Sequence, residues 1–189
     1  MKLNPPQDQW SCGLSNADDS VKDLSTYLND HLAGSIGAVE MVEDLTDTHE
    51  GQPLERFFKA LGEDIQSDQR DLKRLIEALG IKESKVRKAG AWMAEKASRL
   101  KLRGADIGEP NLALLQSLET LSIGIMGKRS LWRTLDATIA ASVREAGLDL
   151  ATLEKRAGDQ FQRVEEQAFK IARQIFIRDI HGKSKSRES

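Results

Sequence analysis

His31, His49 and His181 are the chain's three histidines, and with the carboxylates near them they are the side chains able to hold a metal or move a proton. A pair of hard cations inside a helical bundle asks for a Glu from each of two helices and Glu-x-x-His from each of the other two. Carboxylates bridge the metals and imidazoles complete their shells. None of the three histidines follows a Glu or Asp by three residues. At about 100° per residue, Glu40 and Glu119 fall on the flanks of their helices, and Glu43 reaches only the edge of an apolar stripe. A di-iron centre is therefore disfavoured. A divergent site built from His31, Glu43, Asp64 and Asp68 would have one imidazole at most, so no metal ligands are assigned.

The more informative polar residues interrupt apolar stripes. They are His31 and Ser35 in the first predicted helix, Asp68 in the second with Asp64 one turn earlier, Arg129 and Asp136 in the third, and Gln160 and Gln167 in the fourth. Asp68 stands among Leu, Ile and Phe, where an unpaired carboxylate would cost several kcal/mol or take up a proton. Counting outward from Leu45 and Leu54, on either side of a turn, brings His31 level with Asp68, and Gln167 comes to a similar height. Three readings stay open: a structural network that fixes helix register, a ligand or metal pocket, and catalysis. A His and an Asp without a nucleophile specify no reaction, and no catalytic residue is assigned.

Gly34 and Gly37 in the first helix, with Gly124 and Gly127 in the third, cost about 1 kcal/mol each relative to Ala. No strand precedes them, so a phosphate loop is disfavoured. They are expected to admit close backbone approach, between these two helices or across a homodimer interface, so that Leu at Gly34 or Gly124 would overpack the seam.

Those residues sit in a pattern of helices. The first is expected from Asp19 or Ser20 to about Leu45, with Leu24, Leu28, Leu32, Ser35, Val39 and Val42 on one stripe. After a break at 49–52, Pro53 opens the second, whose inner face runs from Leu54 and Phe57 to Leu79, with Gly80 as its stop. Pro110 opens the third, carrying Leu114, Leu118, Leu121, Ile125, Trp132, Ile139 and Val143. Gly147 ends it, and Asp149 caps the fourth, with Leu150, Leu153, Ala157, Val164, Ala168, Ile171 and Ile175 inward. Nowhere does the chain alternate like a strand. Residues 80–109 are far longer than the usual connection of about two to eight residues. They hold an amphipathic stretch (Val86, Ala89, Met93, Ala97, Leu100), with Trp92 expected to dock it. This is the length a crossover needs if helices two and three are to run parallel.

The runs TYLNDHLAGSIGAVEMVEDL (26–45), LGEDIQSDQRDLKRLIEALG (61–80) and LSIGIMGKRSLWRTL (121–135) resemble a bacterial protein family of the ferritin-like superfamily. The resemblance implies an all-α, antiparallel four-helix bundle with a long helical crossover, and no established activity. The expected organisation is an irregular segment over 1–18, the bundle over 19–180 and a disordered tail over 181–189.

At 189 residues the chain suits one domain. Its 28 bases and 30 acids give a net charge of −2, which argues against a dedicated nucleic-acid binder. Residues 1–81 carry −9 and residues 82–103 carry +6, so self-complementary surfaces are expected. A binder of anionic polymer or lipid through 82–103 is the alternative. Cys12 is the lone cysteine and forms no internal disulfide. No apolar run has membrane-spanning length and the start lacks a signal-peptide pattern, so a cytoplasmic protein is expected. The leading functional expectation is a non-catalytic interaction or stress-related bundle, and the principal alternative a metalloprotein with an atypical carboxylate and histidine site.

Overall fold

A computed structural model describes residues 17–83 and 110–185. Cys12, Trp92, nearly all of the basic 82–103 stretch and the last residues of the tail lie outside the described residues. Within them the chain is all-α: α1 (Ala17–Thr48), α2 (Pro53–Ala78), α3 (Pro110–Glu145) and α4 (Leu150–Lys185), with no strand. Three bounds differ from expectation, α1 ending at Thr48 and not at about Leu45. α1 begins at Ala17, with Asp18 and Asp19 as the acidic residues of its first turn, where carboxylates oppose the helix dipole. α4 continues past residue 181 to Lys185.

Local chemistry sets the helix ends. Pro53 stands at the start of α2, where its missing N–H is no loss. Gly80 and Gly147 have φ of 65° and 74°, the left-handed conformation in which a Cβ is penalised. Each closes a Schellman motif. Gly80 N–H donates to the Glu77 carbonyl and Ile81 N–H to that of Ile76; Gly147 N–H donates to Arg144 and Leu148 N–H to Val143. Buried Leu148 and Val143 supply the apolar contact of that motif. Asp149 then caps α4, its Oδ1 accepting the N–H groups of Ala151 at 2.9 Å and Thr152 at 3.2 Å. Those bonds hold the Asp149 carboxyl below its ordinary range.

The core forms two apolar clusters. One joins Leu28 and Leu32 of α1, Leu72, Leu75 and Ile76 of α2, Leu131, Trp132, Leu135 and Val143 of α3, and Leu150, Leu153 and Ala157 of α4. The other joins Met41 and Val42, then Phe58, Leu61 and Ile65, then Leu114 through Ile125, then Val164, Ala168 and Ile171. On every helix one polar residue falls in the gap between the two clusters: Ser35, Asp68, Lys128 and Gln160. α1 packs along α2 and α3 along α4, and the seams between those two pairs are thinner. Near the end of α3 the backbone leaves helical geometry at Ile139 (φ −126°, ψ 31°). None of the described helices is long and apolar enough to cross a membrane.

Candidate functional site

The polar layer is built around Asp68, 3% exposed on the inner face of α2. Its Oδ2 accepts hydrogen bonds from Lys128 Nζ of α3 and, at 2.9 Å, from Gln160 Nε2 of α4. Lys128 also donates to Gln160 Oε1, closing a triangle of three side chains from three helices. Gln160 is wholly buried, and 16% of the Lys128 side chain is exposed. Arg156 of α4 places Nη2 against Asp68 Oδ1 and bonds Asp71 at 2.6 Å. Oδ1 finds no aligned donor, so that contact is an ion pair more than a hydrogen bond. Burial pulls the Lys128 ammonium below the ordinary lysine range, opposed by the Asp68 charge. For Arg156 the order of outcome reverses: burial works against its charge, and Asp71 with Asp68 outweighs it.

Beside this layer α1, α2 and α3 line a half-open cavity of about 370 Å³, within the size range of small-molecule sites. Its walls are mainly apolar: Ala38 from α1, Ile65 and Leu72 from α2, and Leu121, Ile125, Leu131 and Trp132 from α3. Gly34, Gly124 and Gly127 contribute backbone in place of side chains, while Asp68 and Lys128 reach it from the polar layer and His31 from α1. Ser35 Oγ donates to the Leu32 carbonyl and accepts from Gln69 Nε2 at 3.1 Å. Trp132 is 1% exposed, and its indole N–H has no acceptor among the described residues.

Of the residues singled out from sequence, His31 and Asp68 line this one cavity, but the two, expected level and in contact directly or through one water, make no direct hydrogen bond or ion pair. Asp68 is engaged by Lys128, Gln160 and Arg156, and the His31 ring meets Tyr27 edge-on at 4.7 Å. Equal height along two helices does not give equal direction around them. Gln160, two turns before Gln167, is the glutamine at this level; Gln167 is half-buried elsewhere on α4. Arg129 is partly exposed and pairs with Glu154 of α4 at 3.1 Å, so the inward base of α3 is its neighbour Lys128. Asp64 pairs with Arg163 nearer the surface, and Asp136 is exposed.

Of the two glycine expectations, the one of close approach between α1 and α3 is corrected. A Cβ built at Gly34, Gly124 or Gly127 meets nothing within 4 Å, so these residues leave space open and do not bring backbones together within the chain. Gly37 is buried. Close approach is made at Gly62, where a Cβ would stand 3.3 Å from Val42 Cγ1. As for metal chemistry, Glu40, Glu43 and Glu119 are exposed, and among the described residues no three His, Cys, Asp or Glu side chains converge. Asp68 already faces two cations.

His31 carries a pH signature. Burial lowers its pKa from 6.5, against the pull of Asp30. Between the folded value and 6.5 the unfolded chain holds more protons than the folded one. The contribution of His31 is therefore complete above 6.5 and is lost as pH falls through its folded value. Urea denaturation from about pH 8 down to about pH 5 should show wild type losing more stability than His31→Asn. Parallel curves would mean that His31 titrates as it does in the unfolded chain.

Compared with family models, curated proteins and solved structures, the chain matches none of them.

Proposed function

We propose that the chain is a ferritin-like four-helix bundle that binds and does not catalyse, and that its binding site is the cavity between α1, α2 and α3. The proposed topology is the crossover one, with α1 antiparallel to α2 and to α3, and α2 parallel to α3. It is supported by the first core cluster, which brings the first half of α1 together with the ends of α2 and α3 and the start of α4. The resemblance of residues 26–45, 61–80 and 121–135 to ferritin-like bacterial proteins points the same way.

The observation carrying the binding reading is the apolar cavity itself, held open where three glycines withhold side chains. An apolar guest seated against these walls would take their apolar surface out of water. The non-catalytic reading is supported by the way the charges are spent. Asp68, Lys128 and Gln160 are hydrogen-bonded to one another, and His31 has no hydrogen-bonded nucleophile or carboxylate among the described residues. The metalloprotein alternative gains nothing from a carboxylate already ion-paired twice. Binding of an anionic polymer or lipid through 82–103 rests on residues nearly all outside those described.

Fluorescence titration with the apolar dye N-phenylnaphthylamine tests the reading. Saturable binding of one dye per chain, abolished by Gly124→Leu, is the expected result. No saturable binding, or unchanged binding by the variant, would overturn it.

A further inference from the structure

We propose that the outer face of α4 around Phe169 is the contact through which two copies of this chain associate, packed antiparallel about a two-fold axis. The face is separate from the cavity, to whose lining α4 contributes no residue.

Apolar exposure locates the contact. Phe169, Phe176 and Ile177 are 53%, 50% and 50% exposed, and they stand within about two turns of one helix. Large apolar side chains gathered on a solvent face mark a contact, where single ones scattered over a surface do not. The other exposed large apolar residues among those described are spread over α1 (Val21) and α3 (Leu112, Ile123 and Met126). On α4, Gln162, Glu166, Phe169, Arg173 and Phe176 recur at alternating steps of four and three and are all exposed. That spacing makes them one stripe along the helix. The stripe lies away from Val164, Ala168 and Ile171, which α4 turns into the core.

Charge names the occupant. Acids precede Phe169 and bases follow it: Glu165 and Glu166 on one side, Lys170 and Arg173 on the other. A second copy laid antiparallel, with the axis near Phe169, sets Glu166 opposite the partner's Arg173. The two-fold repeats that pair on the other side of the axis, as a contact between identical surfaces requires. The two Phe169 rings then meet at the axis, where an aromatic pair adds to the apolar area removed from water. A copy laid parallel would set like charge against like, which is costly at a contact. The chain's own basic stretch fits less well. Residues 82–103 hold eight bases against two acids and would bring them against Lys170 and Arg173.

Sedimentation velocity of the full chain over a dilution series at low salt tests the proposal. Wild type should be at least half dimeric at about 100 μM chain, as a small interface allows. Glu166→Arg and Arg173→Glu each set like charges opposite one another at two symmetry-related places, and each should weaken the dimer about tenfold or more. Mixed together, the two variants should recover the wild-type association, because each supplies the charge the other lacks. A purely structural role for either residue would not produce that recovery. Phe169→Ser should also weaken the dimer about tenfold or more, with the melting temperature unchanged at dilutions where both proteins are monomers. Wild type that stays monomeric, single reversals that leave association unchanged, or a mixture that associates no better than its components would each overturn the proposal. So would a monomer destabilised by Phe169→Ser, which would mean that the chain covers this face itself.

Discussion

Asp68→Ala is expected to cost about 3–5 kcal/mol of folding stability, the range for breaking a buried ion pair from one side. Removal of a few side-chain atoms does not account for that figure. Lys128 and Arg156 both lose an anion, Gln160 loses the acceptor for its amide, and Lys128 keeps only Gln160 as a described partner. Burial already pulls the Lys128 pKa down against the Asp68 charge. Without that charge the amine is driven further toward its neutral form. Asp68→Asn should be milder, because an amide oxygen still accepts from Lys128. The double replacement Asp68→Leu with Lys128→Met should recover much of the loss, since an apolar pair suits a layer flanked by two apolar clusters. Urea denaturation of the four proteins measures this. If Asp68→Ala costs no more than removal of the exposed partner in the Lys155–Asp159 pair, the polar layer is not a buried network.

The glycines give the second large effect, with a sign opposite to the sequence expectation. Gly34→Ala, Gly124→Ala and Gly127→Ala should each raise stability by up to about 1 kcal/mol, because each gains helix propensity at a position where a Cβ meets open space. Their combination should be roughly additive. Gly62→Ala should gain less, because Val42 must give way to it, and Gly62→Leu should lose about 1–3 kcal/mol by overpacking. Gly124→Leu should keep or raise the melting temperature while closing the cavity to ligands. A stability gain bought by filling a functional void is the usual trade. Melting temperatures that fall in all three alanine variants would contradict an open seam.

Helix ends were legible in the sequence because they depend on a few neighbouring atoms. Pro53, Gly80, Gly147 and Asp149 do at their positions what their chemistry prescribes. The apolar stripes were equally legible, being periodic. Asp68 stood out because it breaks such a stripe. Of its partners, Lys128 is visible by the same rule but is absent from the sequence expectation, while Gln160 is expected on the inner face but not at the height of Asp68. Lys128 follows Leu118, Leu121 and Ile125 at helical spacing before Trp132, and Gln160 lies between Ala157 and Val164 in the same way. Arg129 differs from Lys128 by a step of about 100° around the helix, and Gln167 from Gln160 by two turns, about 10 Å along it. Counting from the first turn fixes height between α1 and α2 only, leaving direction around each axis and the height of α4 free. Glycine type shows that side-chain volume is absent; whether a neighbour occupies it is decided by packing between distant segments.

The central claim is that the space between α1, α2 and α3 receives an apolar guest, and NMR contacts between bound N-phenylnaphthylamine and assigned side-chain protons, methyl and aromatic, test it most directly. The account predicts contacts from the dye to Ile65, Leu72, Leu121 and Ile125, which line the cavity. Contacts confined to Phe169, Phe176 and Ile177, the exposed apolar residues of α4, would place the dye on the outside of the bundle and contradict it.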